Sequence, residues 1–209
     1  MISYKIHLIR SGSASEGHGQ LLIGQEDLPL SRSGQEKLER LQQAGGYPQV
    51  DRLYASPLAR CLQTAEILYP GYSTHQVEGL KDTCLGEFEG KSFEQLKDLP
   101  AFTAWLHNSQ ASPPPGGENV EDFMARVSAA LDGVVRGMMR ERITSAGVIT
   151  HGGVIMTLMA AVALPRLPIH QWAVAHGQGY TLLTSAQLWM QGGCAEAFAL
   201  LPERPEATE

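Results

Sequence analysis

The feature that most constrains the fold is a strand-like segment near the amino terminus that stops abruptly at a charged turn. The apolar residues within positions 4–9 favour a strand covered on both faces. Arg10, Ser11 and Gly12, which follow at once, suit neither a buried strand nor a clean helix start. Since ligands of open α/β sheets bind at the carboxyl ends of the strands, this turn is the first candidate for a binding site.

The same order of segments recurs along the chain and predicts the fold class. Apolar periodicity predicts helices that alternate with short strands. The predicted helices lie near residues 35–41, 58–68, 93–96, 102–106, 120–138 and 154–161, and the later strands near 51–55, 72–77, 146–150, 180–184 and 195–200. This alternation predicts an α/β fold, a three-layer α/β/α sandwich with a mostly parallel central sheet and two closing antiparallel strands.

Length and internal breaks favour one domain over residues 1–209. The proline and glycine run at 113–117 is interpreted as a surface connection, because its flanks do not support two separate cores. Residues 91–117 are a candidate small lid, and residues 202–209 are expected to fray. Residues 172–175 fit either an interface or a buried strand, of which the strand is the more common.

Charge and cysteine content exclude several classes of protein. A net charge of -6 argues against a protein whose main partner is nucleic acid or an anionic membrane. The three cysteines form no CxxC pair, so we expect reduced thiols and neither a disulfide framework nor a zinc site. No leader sequence precedes the first strand, and no apolar run reaches the roughly 20 residues of a membrane helix. A cytoplasmic protein is the expectation.

Polar residues that could carry chemistry collect just past the predicted strand ends. They are Arg10, Ser11, Ser56, Arg60 and His151, with Asp82 on an irregular stretch. Two arginines, an imidazole and a carboxylate are suited to phosphoryl transfer without a metal. Singly, each residue has an ordinary alternative: a solvated helix face for Arg60, a helix cap for His151 and a loop carboxylate for Asp82. Their recurrence at strand ends favours the functional interpretation.

The ordered motifs resemble the histidine phosphatase superfamily, in its phosphoglycerate mutase-like branch. The likeness covers nearly the whole chain in collinear order. It is carried by LIRSG at 8–12, GQEDLPLS at 24–31, SPLARCLQTA at 56–65, LKD at 80–82, GEFEG at 86–90, PGGE at 115–118 and THGG at 150–153. Within the branch, the chain is most similar to α-ribazole phosphatase-like or broad-specificity members.

The resemblance implies a phosphohistidine mechanism that needs neither metal nor cofactor. In it, Arg10, Arg60 and His151 hold the phosphoryl oxygens, while Asp82 protonates the leaving group and later deprotonates the attacking water. It further implies that a small phosphorylated substrate contacts a set of neighbouring residues, namely Gly12, Ser13, Gln20 and Gly152. We expect no nucleic-acid or membrane partner, and either a monomer or a homodimer.

Departures from the family pattern bear on activity more than the matches do. Ser11 stands where the nucleophilic histidine belongs, and a serine hydroxyl is a weak nucleophile without an activating base. Asp82 replaces the usual glutamate, Gln20 replaces an expected asparagine, and Ser13–Ala14 stands where many members have Glu–Thr. The expectation is a phosphate-binding site with most of its turnover lost.

Three functional hypotheses therefore stay open. The first is a phosphomonoester hydrolase disabled at Ser11, either by a recent replacement or as a pseudoenzyme of long standing. The second is a phosphoglycerate mutase-type phosphotransferase, and the third is a non-catalytic phospho-ligand binder. Among the other histidines, His7 is expected to be structural, and His18 and His176 are candidates to approach the pocket.

Overall fold

The protein is described by a computed structural model, which covers residues 2–14 and 21–203. His18, Gln20 and the end of the predicted tail, residues 204–209, lie outside these described residues. No helix in the described part of the chain is long and apolar enough to cross a bilayer.

Within the described residues, seven strands form one mixed sheet, which confirms the predicted α/β architecture. They are β1 (Ser3–Arg10), β2 (Arg52–Ala55), β3 (Thr74–Gln76), β4 (Ser145–Thr150), β5 (Ala163–Leu164), β6 (Gly179–Ser185) and β7 (Ala195–Leu201). Their order across the sheet is β3-β2-β4-β1-β6-β7-β5. The strands β3, β2, β4 and β1 are mutually parallel, while β6 is antiparallel to both β1 and β7. The carboxyl ends of β2, β4 and β1 therefore meet at one edge.

The part of the chain that the structure describes also contains seven α-helices. They are α1 (Arg32–Ala44), α2 (Ala59–Leu68), α3 (Phe93–Leu96), α4 (Pro100–His107), α5 (Val120–Glu141), α6 (Gly152–Val162) and α7 (Ala186–Gly192). Side chains cap the starts of two of these helices: the Ser31 hydroxyl accepts from the Gly34 amide, and the Asn119 side chain accepts from the Asp122 amide. Such side chains satisfy amide groups that the first turn of a helix leaves without partners.

Apolar side chains cover both faces of the sheet. One core cluster joins β1 and β4 to α5 and α6 through residues such as Leu8, Val148 and Leu158. A second cluster on the opposite face includes Ile9 and Leu38. Because β1 alternates between these two clusters, it is buried on both sides, as the sequence predicts.

Two details differ from the sequence-based predictions. Residues 172–175 do not form the favoured strand: a 3-10 helix ends at Trp172, and an extended loop follows. The short strand β5 and the helix α7 were not predicted, because each is only a few residues long and lacks a periodic pattern of its own. At the end of the described residues, the Glu203 amide donates to the Gly46 carbonyl at 2.8 Å.

A small aromatic cluster supports the segment between β3 and α5. Phe88 and Phe102 are almost fully buried, with ring centroids 5.3 Å apart. We expect Phe102→Ala to lower the free energy of unfolding by about 3–5 kcal/mol, because it removes a buried ring and leaves a cavity. Chemical denaturation followed by fluorescence measures the effect. Leu106→Ala on the same helix, whose side chain is 55% exposed, should change stability by less than about 1 kcal/mol.

Candidate active site

The site is built at the edge where three parallel strands end. Arg10 is the last residue of β1, Ser56 directly follows β2, and His151 directly follows β4. The pairing register places β4 between β1 and β2, so these residues lie side by side although they are far apart in the sequence. This confirms the expected convergence of polar strand ends.

A cavity of about 150 Å³ opens at this edge. Its lining brings together most of the predicted site residues: Arg10, Ser11, Gly12, Ser13, Arg60, Asp82, His151 and Gly152. His176, a candidate from the sequence, also lines it, together with Ala14, Leu21 and Ile23. Two guanidinium groups and one carboxylate thus face the same small space, and an anion would balance their charge.

The two arginines are held rigidly by backbone carbonyl groups. Arg60 is 4% exposed, and its Nη1 and Nη2 donate to the carbonyls of Glu26 and Gly24 at 2.9 and 2.6 Å. Arg10 Nη1 donates to the Val174 carbonyl at 2.7 Å. A guanidinium group has five N–H donors, so each arginine keeps further donors for the oxygen atoms of a ligand.

The imidazole of His151 is neutral, and Ser56 and Cys61 orient it. Its Nε2 lies 2.9 Å from the Ser56 hydroxyl and 3.5 Å from the Cys61 sulfur. Burial, and then the positive charges of Arg60 and Arg10, hold the pKa of His151 well below its usual range. If the Ser56 hydroxyl donates to Nε2, the hydrogen of the neutral ring sits on Nδ1, 3.7 Å from Asp82 Oδ2 on the cavity side. There it can donate to a phosphoryl oxygen.

Asp82 has the properties of a general acid. Its carboxylate lies 3.9 Å from Arg60 Nη2. Burial raises the pKa of Asp82 to about 6, because it outweighs the opposing effect of the Arg60 and Arg10 charges. The proton is therefore held at mildly acidic pH and released near neutrality.

Arg126 of α5 lies outside the cavity and holds the backbone of the segment that carries Asp82. Its Nη2 donates to the Asp82 carbonyl at 3.1 Å, and its Nη1 donates to the carbonyls of Gly79 and Lys81. The same guanidinium pairs with Glu118 at 2.6 Å. The sequence does not reveal this role, because an arginine on an amphipathic helix looks like an ordinary solvated charge.

Glu89 holds the loop whose carbonyl groups, those of Gly24 and Glu26, accept hydrogen bonds from Arg60. Its two carboxylate oxygens accept from the amides of Gly24 and Gln25 at 2.8 Å, and one of them also accepts from Leu85. Sequence reasoning assigned no role to this residue individually, although it lies within the GEFEG motif at 86–90.

The turn after β1 allows no larger side chain at its glycine. A Cβ at Gly12 would lie 2.7 Å from carbon atoms of both Leu30 and Leu38. The Gly12 amide donates to the Thr64 hydroxyl at 3.0 Å, so this amide already has a partner within the protein. Ser11, which is 3% exposed, is thereby fixed at the cavity wall.

The remaining predicted contact residues lie around this turn. A Cβ at Gly152 would lie 3.0 Å from Arg10 Nε, so the glycine lets the guanidinium pass close to the start of α6. The Ser13 carbonyl accepts from the Ser31 amide at 2.9 Å, which ties the turn to α1. Gln20 lies outside the described residues, so its predicted contact stays a prediction.

Two histidines behave as the sequence suggests. His7 is buried on the sheet, with its ring nitrogens 3.0 Å from the Thr181 hydroxyl and 3.2 Å from the Ser145 hydroxyl, as expected for a structural residue. His176 reaches the cavity and donates from Nδ1 to the Ser11 carbonyl at 2.7 Å.

Comparison with known proteins places this site in a family context. A family model described as the histidine phosphatase superfamily, branch 1, matches residues 6–193. Among curated relatives, fructose-2,6-bisphosphatase TIGAR B from Danio rerio is 29% identical over 191 residues, which is 85% of this chain and 72% of the relative. Adenosylcobalamin/alpha-ribazole phosphatase from Salmonella typhimurium is 22% identical over 178 residues, 83% of this chain and 87% of the relative.

Solved structures share the fold. The alpha-ribazole phosphatase from Shigella flexneri superimposes with a TM-score of 0.77 at 22% identity, covering 98% of this chain and 99% of that chain. A phosphoglycerate mutase from Bacillus anthracis gives a TM-score of 0.76 at 18% identity, covering 95% of this chain and 92% of that chain. At these identities the likeness concerns the fold alone.

The geometry predicts that inorganic phosphate binds between the arginines. We expect Arg60→Ala to weaken phosphate binding by about tenfold to a hundredfold, because a charge-assisted hydrogen bond contributes about 1.5–3 kcal/mol. Isothermal titration calorimetry measures the affinity. Arg32→Ala, on the exposed start of α1, is the control and should bind phosphate like the parent chain. Equal affinity in both variants would remove Arg60 from the site.

Proposed function

Because the chain belongs to branch 1 of the histidine phosphatase superfamily, we propose that it binds small phosphate monoesters and hydrolyses them without a metal, at a rate severely reduced by Ser11. The observation that carries this proposal is the pair of rigid guanidinium groups at a cavity that also holds Asp82 and a neutral His151. Phosphatase names among the relatives support the same reaction class.

Each residue has a role in this reaction. Arg10 and Arg60 grip and neutralise the oxygens of the phosphoryl group, and the Nδ1 hydrogen of His151 adds a donor as charge builds up. Asp82 gives its proton to the leaving oxygen and later takes one from the attacking water. Gly12, Ser13, Gln20 and Gly152 border the bound ester in this proposal.

Ser11 lacks what the first step requires. Among the described residues, we find no base placed to activate its hydroxyl: the nearby carboxylate, Asp82, pairs with Arg60, and His151 is bound to Ser56. A serine side chain is also shorter than an imidazole, so its oxygen stops short of the phosphorus position of the family mechanism.

The substrate and its access are further parts of the proposal. The 91–117 segment, with α3 and α4, would act as a small lid, since its start pairs with the cavity-flanking Leu21 through a bridge to Ser92. We propose a small phosphorylated metabolite as substrate in the cytoplasm, with no nucleic-acid or membrane partner and a monomer or homodimer as the assembly. A phosphoglycerate mutase-type transfer is the second candidate, supported by the shared fold and by relatives named as probable phosphoglycerate mutases. A phospho-ligand binder without turnover is the third.

Restoring the imidazole tests the proposed chemistry. We expect Ser11→His to raise kcat/KM for 4-nitrophenyl phosphate by at least about a hundredfold, because it supplies the missing nucleophile. A colorimetric assay of 4-nitrophenol release measures it. Ser73→His, at an exposed turn, controls for an added histidine and should leave the rate unchanged. If Ser11→His stays as slow as this control while both bind phosphate, the binder hypothesis replaces the hydrolase.

The raised pKa of Asp82 predicts a pH dependence in the Ser11→His background. Burial moves this pKa from 3.8 to about 6, so the proton needed by the leaving group is present below that pH and lost above it. We expect kcat/KM for an alkyl phosphate to fall as pH rises through about 6, and to fall less for 4-nitrophenyl phosphate, whose leaving group needs little protonation. Adding Asp82→Asn should lower the alkyl value by about 10²–10⁴-fold and flatten its pH profile. An unchanged profile would contradict the role of Asp82.

A further inference from the structure

His176 lies in the loop at 173–178 that contacts the turn carrying Arg10 and Ser11. Its Nδ1 lies 2.7 Å from the Ser11 carbonyl oxygen. A carbonyl can only accept a hydrogen bond, so Nδ1 carries the hydrogen and the lone pair of the neutral ring resides on Nε2. This fixed tautomer is what a nucleophilic imidazole requires.

The surroundings of His176 keep that lone pair available. Burial is the largest influence, and the Arg10 charge comes next; both lower the pKa of His176, against the opposing effect of the bond to Ser11. The ring is therefore neutral at physiological pH. It is also half-buried at the wall of the same cavity that Arg10, Arg60 and Asp82 line.

Backbone contacts lock this loop to the phosphate-binding arginine. The Arg10 side chain donates to the Val174 carbonyl at 2.7 Å. The Gly177 amide donates to the Arg10 carbonyl at 2.9 Å, and the Arg10 amide donates to the Gln178 carbonyl at 2.8 Å. The position of His176 relative to an ester held by Arg10 is therefore fixed, so little conformational freedom has to be lost before reaction.

We propose that His176 Nε2 is the phosphoryl acceptor of this chain, in place of the imidazole that is missing at position 11. This inference rests on the proposed function and deepens it: the slow turnover left by Ser11 runs through a relocated phosphohistidine.

The two steps balance in electrons and protons. In the first, the Nε2 lone pair attacks phosphorus, the bond from phosphorus to the leaving oxygen breaks, and that oxygen takes the proton of Asp82. In the second, water attacks phosphorus and gives a proton to the Asp82 carboxylate, while the phosphorus–nitrogen bond breaks and its electron pair returns to Nε2. The hydrogen on Nδ1 stays hydrogen-bonded to the Ser11 carbonyl oxygen throughout. Arg10 acts electrostatically on both Asp82 and His176, so the charge that would hold the phosphoryl group influences both reacting residues.

Other nucleophilic groups at the cavity are poorer candidates. Burial raises the pKa of the Cys61 thiol to about 12, so it holds its proton. His151 has one ring nitrogen bound to Ser56, and its other nitrogen faces Asp82. Within residues 2–14 and 21–203, we find no base placed to activate Ser11.

The site of phosphorylation in the parent chain tests the inference directly. The parent, His176→Gln, Ser11→His and the exposed control His75→Gln are incubated with 4-nitrophenyl phosphate, quenched in alkali and mapped by mass spectrometry. We expect an acid-labile, alkali-stable phosphoryl group on the peptide of the parent that contains His176. We also expect release of 4-nitrophenol to drop at least about tenfold in His176→Gln and to stay unchanged in His75→Gln.

A second variant, His176→Asn, separates nucleophilic from structural roles. Its amide nitrogen is bonded to Cγ, as Nδ1 is, so it can still donate to the Ser11 carbonyl, and a purely structural role would leave the rate intact. A phosphoryl group on Ser11 or His151, or equal rates in the parent and His176→Gln, overturns the inference; the mapping in the parent decides even if the variant unfolds. If only Ser11→His hydrolyses the ester, His176 is not the nucleophile and the proposed function stands. If no form hydrolyses it, the proposed function fails as well.

Discussion

Positive charge placed inside the protein is the constraint on which the rest of the site depends. Arg60 is buried and Arg10 partly so, and the carboxylate nearest to both, Asp82, is protonated at mildly acidic pH. A guanidinium group removed from water is costly unless its donors are satisfied. Backbone carbonyls of Gly24 and Glu26 satisfy part of this requirement for Arg60. The donors that remain suit an oxyanion such as the phosphate ester of the proposed function.

The same charges set the protonation states that the chemistry needs. They help keep His151 neutral, and they only partly offset the burial that raises the pKa of Asp82. An acid that carries its proton at mildly acidic pH and releases it near neutrality thus lies beside a neutral imidazole that does not compete for that proton. The position of this acid depends on Arg126, which donates to three backbone carbonyls within residues 79–82 and so ties this segment to α5.

In the proposed function, Ser11 removes one functional group and leaves the remainder of the site intact. The proposed binding and acid–base groups lie on separate elements, namely β1, α2, the segment after β3 and the turn between β4 and α6, whereas nucleophilicity would belong to one imidazole. An imidazole contributed by a neighbouring loop, as proposed for His176, can serve the same cavity because that loop is bonded to the backbone of Arg10 and Ser11.

The sequence by itself determined the α/β class and the strand ends that carry Arg10, Ser56 and His151, and it predicts that Ser11 occupies a nucleophile position without its imidazole. These were predictable because apolar periodicity is local and because carboxyl ends of neighbouring parallel strands share one edge. Only the tertiary structure decided the tautomer of His176, the anchoring of Asp82 by Arg126 and the irregular backbone at 172–175. His176 and Ser11 are 165 positions apart, and Arg126 and Asp82 are 44 apart. Contacts over such separations follow from how the layers pack, and no local pattern of residue types encodes them.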